Sequence, residues 1–265
     1  MPKTVTFLLQ KGISPVGSSL RMSCNKPALN KENITAERML KRKKTMNKKA
    51  VVILSGGLDS TVLLHYVRKQ DYDVYGLSFN YGQRHKKEVE FAKYWGRKLC
   101  VEHKIIHLDF MREIAGNSAL VDEKKTIPKE EYNSRNQEIT VVPNRNMIMV
   151  SIGVAWAENL GFNEVFYGPH KNDYSIYPDC RPEFVENVSK TAASATYNHV
   201  RVRAPFLKKM KWEIVKIGAE LGVDFSQTWS CYEGGEKHCG ECATCQERKE
   251  AFLKAGISDP TVYLK

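Results

Sequence analysis

The sequence predicts an α/β protein: a Rossmann-like parallel sheet flanked by helices, with a small C-terminal metal-binding subdomain. Three observations predict it. Short β-rich runs alternate with helical stretches from Ala50 onward, each run ends in an unusually polar loop, and four of the seven cysteines crowd between Cys231 and Cys245. Such alternation implies right-handed βαβ units and a sheet covered on both faces. Ligands of these sheets sit beyond the carboxyl ends of the strands.

The elements follow in order. AVVIL (50–54) is an apolar run of strand length, and STVLLHYVRKQ after it has helical spacing. DVYGLSFN (73–80) is the second strand. HKKEVEFAKYWGRKLC places apolar residues near i, i+3 and i+4 and is the second helix. HKIIHL is the third strand. MIMVSIGVAWAENLG reads as a buried helix that stops at Gly161, a C′ glycine, and NEVFYG is the fourth strand. Residues 115–140 are polar and poor in periodicity. They read as a surface insertion, or as a mobile flap over the cleft.

Charge separates the ends of the chain. Residues 1–50 hold 12 of the 41 basic and two of the 30 acidic side chains, hence ten of the eleven net positive charges. The rest is nearly neutral, which argues against a polyelectrolyte-binding surface. Residues 1–46 read as a basic, disordered extension, with Met46 as an alternative start. An organellar presequence and a basic arm for nucleic acid or nuclear import are the other readings. No apolar run approaches the ~18 residues of a membrane helix, so a soluble, cytoplasmic protein is expected. The expected boundaries are 1–46, an α/β domain over 47–222, and a subdomain over 223–265.

The loop after the first strand, LSGGLDST (Leu54, Ser55, Gly56, Gly57, Leu58, Asp59, Ser60, Thr61), carries the first chemistry. Two glycines let the backbone approach a ligand closely. The free N–H groups opening the next helix make an anion seat, and Ser55 and Ser60 add hydroxyl donors. Asp59 would repel phosphate unless a divalent cation intervened, so it is expected to help hold Mg2+ on a polyphosphate. The loop lacks the lysine of a Walker A motif, which argues against γ-phosphoryl transfer. It resembles the pyrophosphate loop of the N-type ATP pyrophosphatases. These include NAD synthetase, the GMP and asparagine synthetases, and tRNA thiolation and lysidine enzymes. They activate a carbonyl oxygen with AMP, release pyrophosphate, and let a nitrogen or sulfur nucleophile displace AMP.

Cys231, Cys239, Cys242 and Cys245 have the spacing C-x7-C-x2-C-x2-C. Four thiolates fill a tetrahedral zinc shell, so the ion is expected to be structural. His238 is a competing ligand. Reduced thiols without metal, and a nucleic-acid-binding knuckle, are the plain alternatives.

Three further loops are dense in polar groups: NYGQRH, VVPNRN and GPHKNDYSIYPDCRPEF. Asp173, Asp179, Arg145 and Arg181 suit the edges of a purine-like base and a carboxylate, which arginine binds as a bidentate fork. As single residues they fit equally well in surface ion pairs or turns.

SGGLDST, YGQRH, VPNRN, DYSIYPDCRPEF, VRAPF and SCY…HCGECATCQERKEAF also lie in the order and spacing of the 7-cyano-7-deazaguanine synthases. The resemblance covers about residues 48–263. It implies an adenine nucleotide alpha hydrolase-like fold, ATP with Mg2+, structural zinc and a homodimer, with no membrane or nucleic-acid partner. It also implies ligation of ammonia to 7-carboxy-7-deazaguanine through adenylated intermediates. The matched motifs place Asp59, Ser60 and Arg145 at the reacting groups. Tyr81, Gln83, Arg84, His85, Arg145, His170, Asp173, Tyr174, Asp179 and Arg181 would contact substrate. His85 and His170 are the candidates for a general base. Alternatives are a relative that passes the activated deazaguanine to another acceptor, a tRNA-modifying enzyme, and a non-catalytic binding module. Two positions depart from the family pattern, Asn144 and Ile176, both usually glycine. Asn tolerates a left-handed backbone and Ile does not, so a changed loop shape is expected at Ile176.

Overall fold

Ala50, Val51 and Val52 are fully buried, as a strand covered on both faces requires. They lie in β1 (Lys48–Ile53), the central strand of an all-parallel five-stranded sheet completed by β2 (Tyr72–Asn80), β3 (Glu102–His107), β4 (Glu164–Phe166) and β5 (Arg201–Arg203). The order is β3-β2-β1-β4-β5, with Val51 opposite both Tyr75 and Val165. Winding therefore reverses between β1 and β4, and that switch point opens a crevice at the strands' carboxyl ends. The chain is known here as a computed structural model, which describes residues 47–122, 124–127, 129 and 138–264. All of these belong to one compact unit. The basic extension 1–46 lies outside the described residues, as do 130–137 of the expected flap.

Alternation along the strands sorts side chains onto two faces. Ala50, Val52 and Val74 pack with α1 (Leu58–Lys69), α6 (Lys211–Glu220) and α7 (Ala243–Ala255). Val51, Leu77, Phe79 and Val165 meet Met149 and Trp156 of α4 (Arg145–Asn159). Helix α2 (Lys87–Leu99) buries Ala92 and Trp95, α3 is the single turn Met111–Ile114, and α5 (Pro182–Ser194) opens on a proline at its first turn. Gly161 takes φ 71°, the left-handed C′ conformation expected after α4. Beyond β4 the polar loops hide the periodicity of α5 and β5, and the cysteine spacing hides α7, which starts at Ala243 with Cys242 as its N-cap.

The described part of the 115–140 segment is a core element rather than a surface insertion. Ala119 and Leu120 are fully buried and Ile127 nearly so. The Arg84 amide donates to the Leu120 carbonyl, and the Ala119 amide to that of Ile139. The apolar triplet Ala119-Leu120-Val121 within polar sequence is the signal that reveals this.

Helix α7 is locked by Arg248, which is 0% exposed. Its guanidinium donates to Thr228, Ser230, the Phe225 carbonyl and the Asp259 carboxylate. Burial pushes the Asp259 carboxyl up, but Arg248, Tyr263 and Thr261 outweigh it and hold it below its ordinary value. Its contribution to stability is therefore present above the unfolded carboxylate range, near ~3.9, and is lost as pH falls through the lower folded value. Asp259→Ala strands a buried guanidinium and is expected to cost about 3 kcal/mol in urea unfolding at neutral pH. It should also flatten the acid limb of stability against pH. A loss under ~0.5 kcal/mol, the range of an ordinary surface substitution, counts against this lock.

Candidate active site

The loop between β1 and α1 is folded by its own hydroxyls. Ser60 Oγ accepts from the Ser55 and Gly56 amides, both at 3.2 Å, and lies 3.0 Å from Ser55 Oγ, which accepts from the Gly57 amide at 3.1 Å. Gly56 sits at φ 91° with its backbone pressed on α2; a Cβ there would lie 2.2 Å from the Glu88 carbonyl oxygen. Only glycine fits that approach. The result is a rigid turn of amides at a helix N-terminus, the geometry of an anion seat.

Asp59 follows in the first turn of α1. Its Oδ2 lies 3.3 Å from Lys211 Nζ and 3.7 Å from His170 Nε2. Burial pushes this carboxyl up, but Lys211 and His170 together hold it below its ordinary value. Its Oδ1 is buried with no hydrogen-bond partner among the described residues. An ionised carboxylate with one free buried oxygen beside an anion seat fits a divalent cation. Lys211, 8% exposed, also pairs with Glu247 of α7 at 2.8 Å. Burial opposes its charge, and Asp59 and Glu247 more than restore it. The cation absent from the loop thus arrives from the start of α6. No local motif marks Lys211 or Glu247; the signal is the loop's own need for a positive partner.

The cleft continues from the phosphate loop across the ends of β2 and β4. Tyr81, Gln83, His85, Arg145, His170 and Asp173 all line it, as do Glu88, Tyr177, Lys211, Tyr232 and Glu247, which motif reading misses. Gln83 fixes its own turn, accepting from the Tyr81 amide and donating to the Phe79 carbonyl. Arg145 donates to the Tyr81 hydroxyl at 3.2 Å. Among the described residues no carboxylate lies within ion-pair distance of it. His170 sits between two acids, Nε2 on the Asp59 side and Nδ1 3.7 Å from Asp173 Oδ2. Burial pushes the Asp173 carboxyl up.

Four expected substrate contacts do not line the cleft. Arg84 donates to the Lys125 carbonyl and faces Glu233. The Tyr174 hydroxyl is bonded to the Leu207 carbonyl. Asp179 accepts from the Asn146 amide and side chain and so caps α4. Arg181 is exposed and donates to the Tyr174 carbonyl. The two departures resolve differently. Asn144 occupies the left-handed region at φ 51°. Ile176 sits at φ −102°, in the right-handed region, so its side chain meets no backbone obstacle and lines the cleft.

Cys231, Cys239, Cys242 and Cys245 bring their sulfurs within 4.8 Å of one another. The Cys239–Cys245 and Cys231–Cys242 separations are 3.9 and 4.0 Å. That is far beyond a disulfide bond and close to the ~3.8 Å edge of a tetrahedron with ~2.3 Å metal–sulfur bonds. The amides of Cys239 and Cys242 donate to sulfurs, which favours thiolates. His238 is turned away from ligation, since its Nε2 accepts from the Ser230 amide. Burial, reinforced by Arg248, lowers its pKa to about 4. The cluster also builds the cleft. The Trp229 indole donates to the Cys231 carbonyl and the Trp229 amide to the Gly56 carbonyl, tying the cysteine loop to the phosphate loop.

Comparison with known proteins agrees with this geometry. Residues 49–256 match the family described as "Queuosine biosynthesis protein QueC". A relative from Caldicellulosiruptor saccharolyticus is 48% identical over 215 residues, 81% of this chain and 95% of its own. One from Pseudoalteromonas atlantica is 47% identical over 218 residues, 82% and 100% of the two chains. One from Chromohalobacter salexigens is 46% identical over 215 residues, 81% and 86%. All three bear the name 7-cyano-7-deazaguanine synthase. With a match of this extent and relatives this similar along nearly their whole lengths, the chain belongs to the QueC family of queuosine biosynthesis.

Proposed function

We propose that the chain is an ATP-dependent carbon–nitrogen ligase that converts 7-carboxy-7-deazaguanine and ammonia to 7-cyano-7-deazaguanine. The observation that carries this reading is Arg145, a permanently charged fork in the cleft with tyrosines around it and, among the described residues, no acid to neutralise it. A substrate carboxylate supplies what it lacks. The amides that open α1, those of Leu58, Asp59 and Ser60, and Lys211 receive the polyphosphate, and Asp59 Oδ1 would hold Mg2+ there. When bound, Mg2+ neutralises charge on the departing pyrophosphate. The four thiolates would hold zinc, with no open position and a structural role.

The substrate carboxylate attacks the α-phosphorus of ATP and pyrophosphate leaves. Ammonia then displaces AMP from the acyl adenylate to give the amide. The amide oxygen takes AMP from a second ATP, and loss of that AMP leaves the nitrile. The protein forms no covalent bond in this scheme; it positions the reactants and stabilises charge. Asp59, Ser60 and Arg145 act at the reacting groups, and Asp173 faces the hydrogen-bond donors of the base. Partners are small molecules, the assembly is a homodimer as the resemblance implies, and the setting is the cytoplasm. No helix among the described residues is long and apolar enough to cross a membrane.

Mass spectrometry of the purified chain with the deazaguanine acid, ATP and ammonium is expected to give the nitrile, with two AMP formed per product. The decarboxylated base should support no AMP formation. AMP release that requires RNA, or ADP in place of AMP, overturns the reading.

A further inference from the structure

The scheme sets a proton problem that the described machinery leaves open. The nitrogen enters as ammonia and leaves in a nitrile, so it must shed three protons. One leaves as AMP departs from the ammonia adduct and the amide forms. The second leaves when the amide oxygen takes AMP and pyrophosphate departs. The third leaves when the carbon–oxygen bond to AMP breaks and the triple bond forms. All three come off one atom at one place. A single base that discharges to solvent between steps is the economical arrangement.

We propose that His85 is this base and that Glu88 positions it and balances the charge of the imidazolium, whose Nδ1 proton then passes to the departing pyrophosphate or AMP and so to solvent; the proposal rests on the ligase reading. His85 lines the cleft and is 3% exposed. Its Nε2 lies 3.0 Å from Glu88 Oε2, while its Nδ1 is buried with no hydrogen-bond partner among the described residues. An imidazole that donates from Nε2 keeps its lone pair on Nδ1, so the vacant nitrogen is the basic one. Tyr232 packs on the ring at 5.4 Å between centroids, which limits its rotation. Glu88 also touches the phosphate loop: a Cβ on Gly57 would lie 3.1 Å from its Oε1. The dyad therefore stands beside the loop where the adenylate forms. His170 fits the task less well. Its Nδ1 also lacks a hydrogen-bond partner among the described residues, but it lies 3.7 Å from Asp173 Oδ2, and the ring shares Asp59 with Lys211 on the phosphate side.

The test uses the full chain as wild type, His85→Asn and Glu88→Gln. Carboxylate adenylation moves no proton from nitrogen, so acid-dependent exchange of labelled pyrophosphate into ATP reads the site without the base. Mass spectrometry reads amide and nitrile. His85→Asn is expected to slow amide and nitrile formation ~10²–10⁴-fold more than it slows exchange. Glu88→Gln, which keeps the hydrogen bond but not the charge, should raise the amide-to-nitrile ratio. Nitrile formation by His85→Asn within about threefold of wild type, far short of a general base's usual contribution, overturns the proposal. So does a parallel fall of exchange and ligation, the mark of a binding or structural role. If His85→Asn does not fold, Glu88→Gln decides by the same product ratio. Active wild type with active His85→Asn removes the base alone, whereas wild type without acid-dependent exchange removes the ligase reading and the base together.

Discussion

Asp59→Ala is expected to lower nitrile formation at least ~10³-fold, the scale on which a fixed charge at a developing anion acts, while the protein stays folded. Asp59 is the one phosphate-loop carboxylate, its Oδ1 is free, and Lys211 and His170 keep it ionised. Removing it takes away the proposed anchor for Mg2+ and the carboxylate that faces Lys211 and His170. The fold should survive because Lys211 keeps its 2.8 Å partner Glu247, so no buried ammonium is left alone. Pyrophosphate exchange should fall together with ligation, unlike the separation expected for His85→Asn. Melting within a few degrees of wild type completes the expected result. Activity like wild type in this variant would falsify the assigned role of the loop.

Cys242→Ser should have the larger effect on stability. Cys242 is buried, accepts from the Thr244 hydroxyl or donates to it, and caps α7. Without metal, four clustered thiols have nothing to hold them. A loss on the order of 5 kcal/mol is expected, a fraction of the ~10–16 kcal/mol apparent for zinc in isolated fingers. Elemental analysis should find substoichiometric zinc. The site should weaken too, because the cysteine loop meets the phosphate loop through the Trp229 amide and the Gly56 carbonyl. The KM for ATP is therefore expected to rise before the protein unfolds. Full zinc content with unchanged melting would sink this picture.

What the sequence reveals is what lies close together in it. The strand–helix alternation from β1 to β4, the Gly161 stop and the glycine turn are local, and each appears where periodicity and turn chemistry place it. The cysteine cluster is legible for the same reason. Direction is not local. Tyr174, Asp179 and Arg181 sit in the densest motif of the chain, yet 3-10 turns aim them at the Leu207 carbonyl, the α4 terminus and the Tyr174 carbonyl. Density of polar residues marks the loop but not which side chain faces inward. Lys211, Glu247 and Glu88 escape for the opposite reason, since each is one charged residue on an ordinary amphipathic helix until packing delivers it. Ile176 shows the limit of arguing from residue type alone: the backbone there never needed glycine.

The bond between Lys211 and Glu247 bears on how the enzyme comes into being. During translation the central strand and the glycine turn leave the ribosome early, and domains begin to fold from that end. Glu247 emerges only with the last helix, together with the final two cysteines' surroundings. A nascent chain holding everything up to α6 would carry Lys211 with one of its two carboxylate partners missing and the cysteine cluster unformed. Such a chain would leave Asp59 alone against Lys211, so the balance of charge at the loop waits on a residue 36 positions further along.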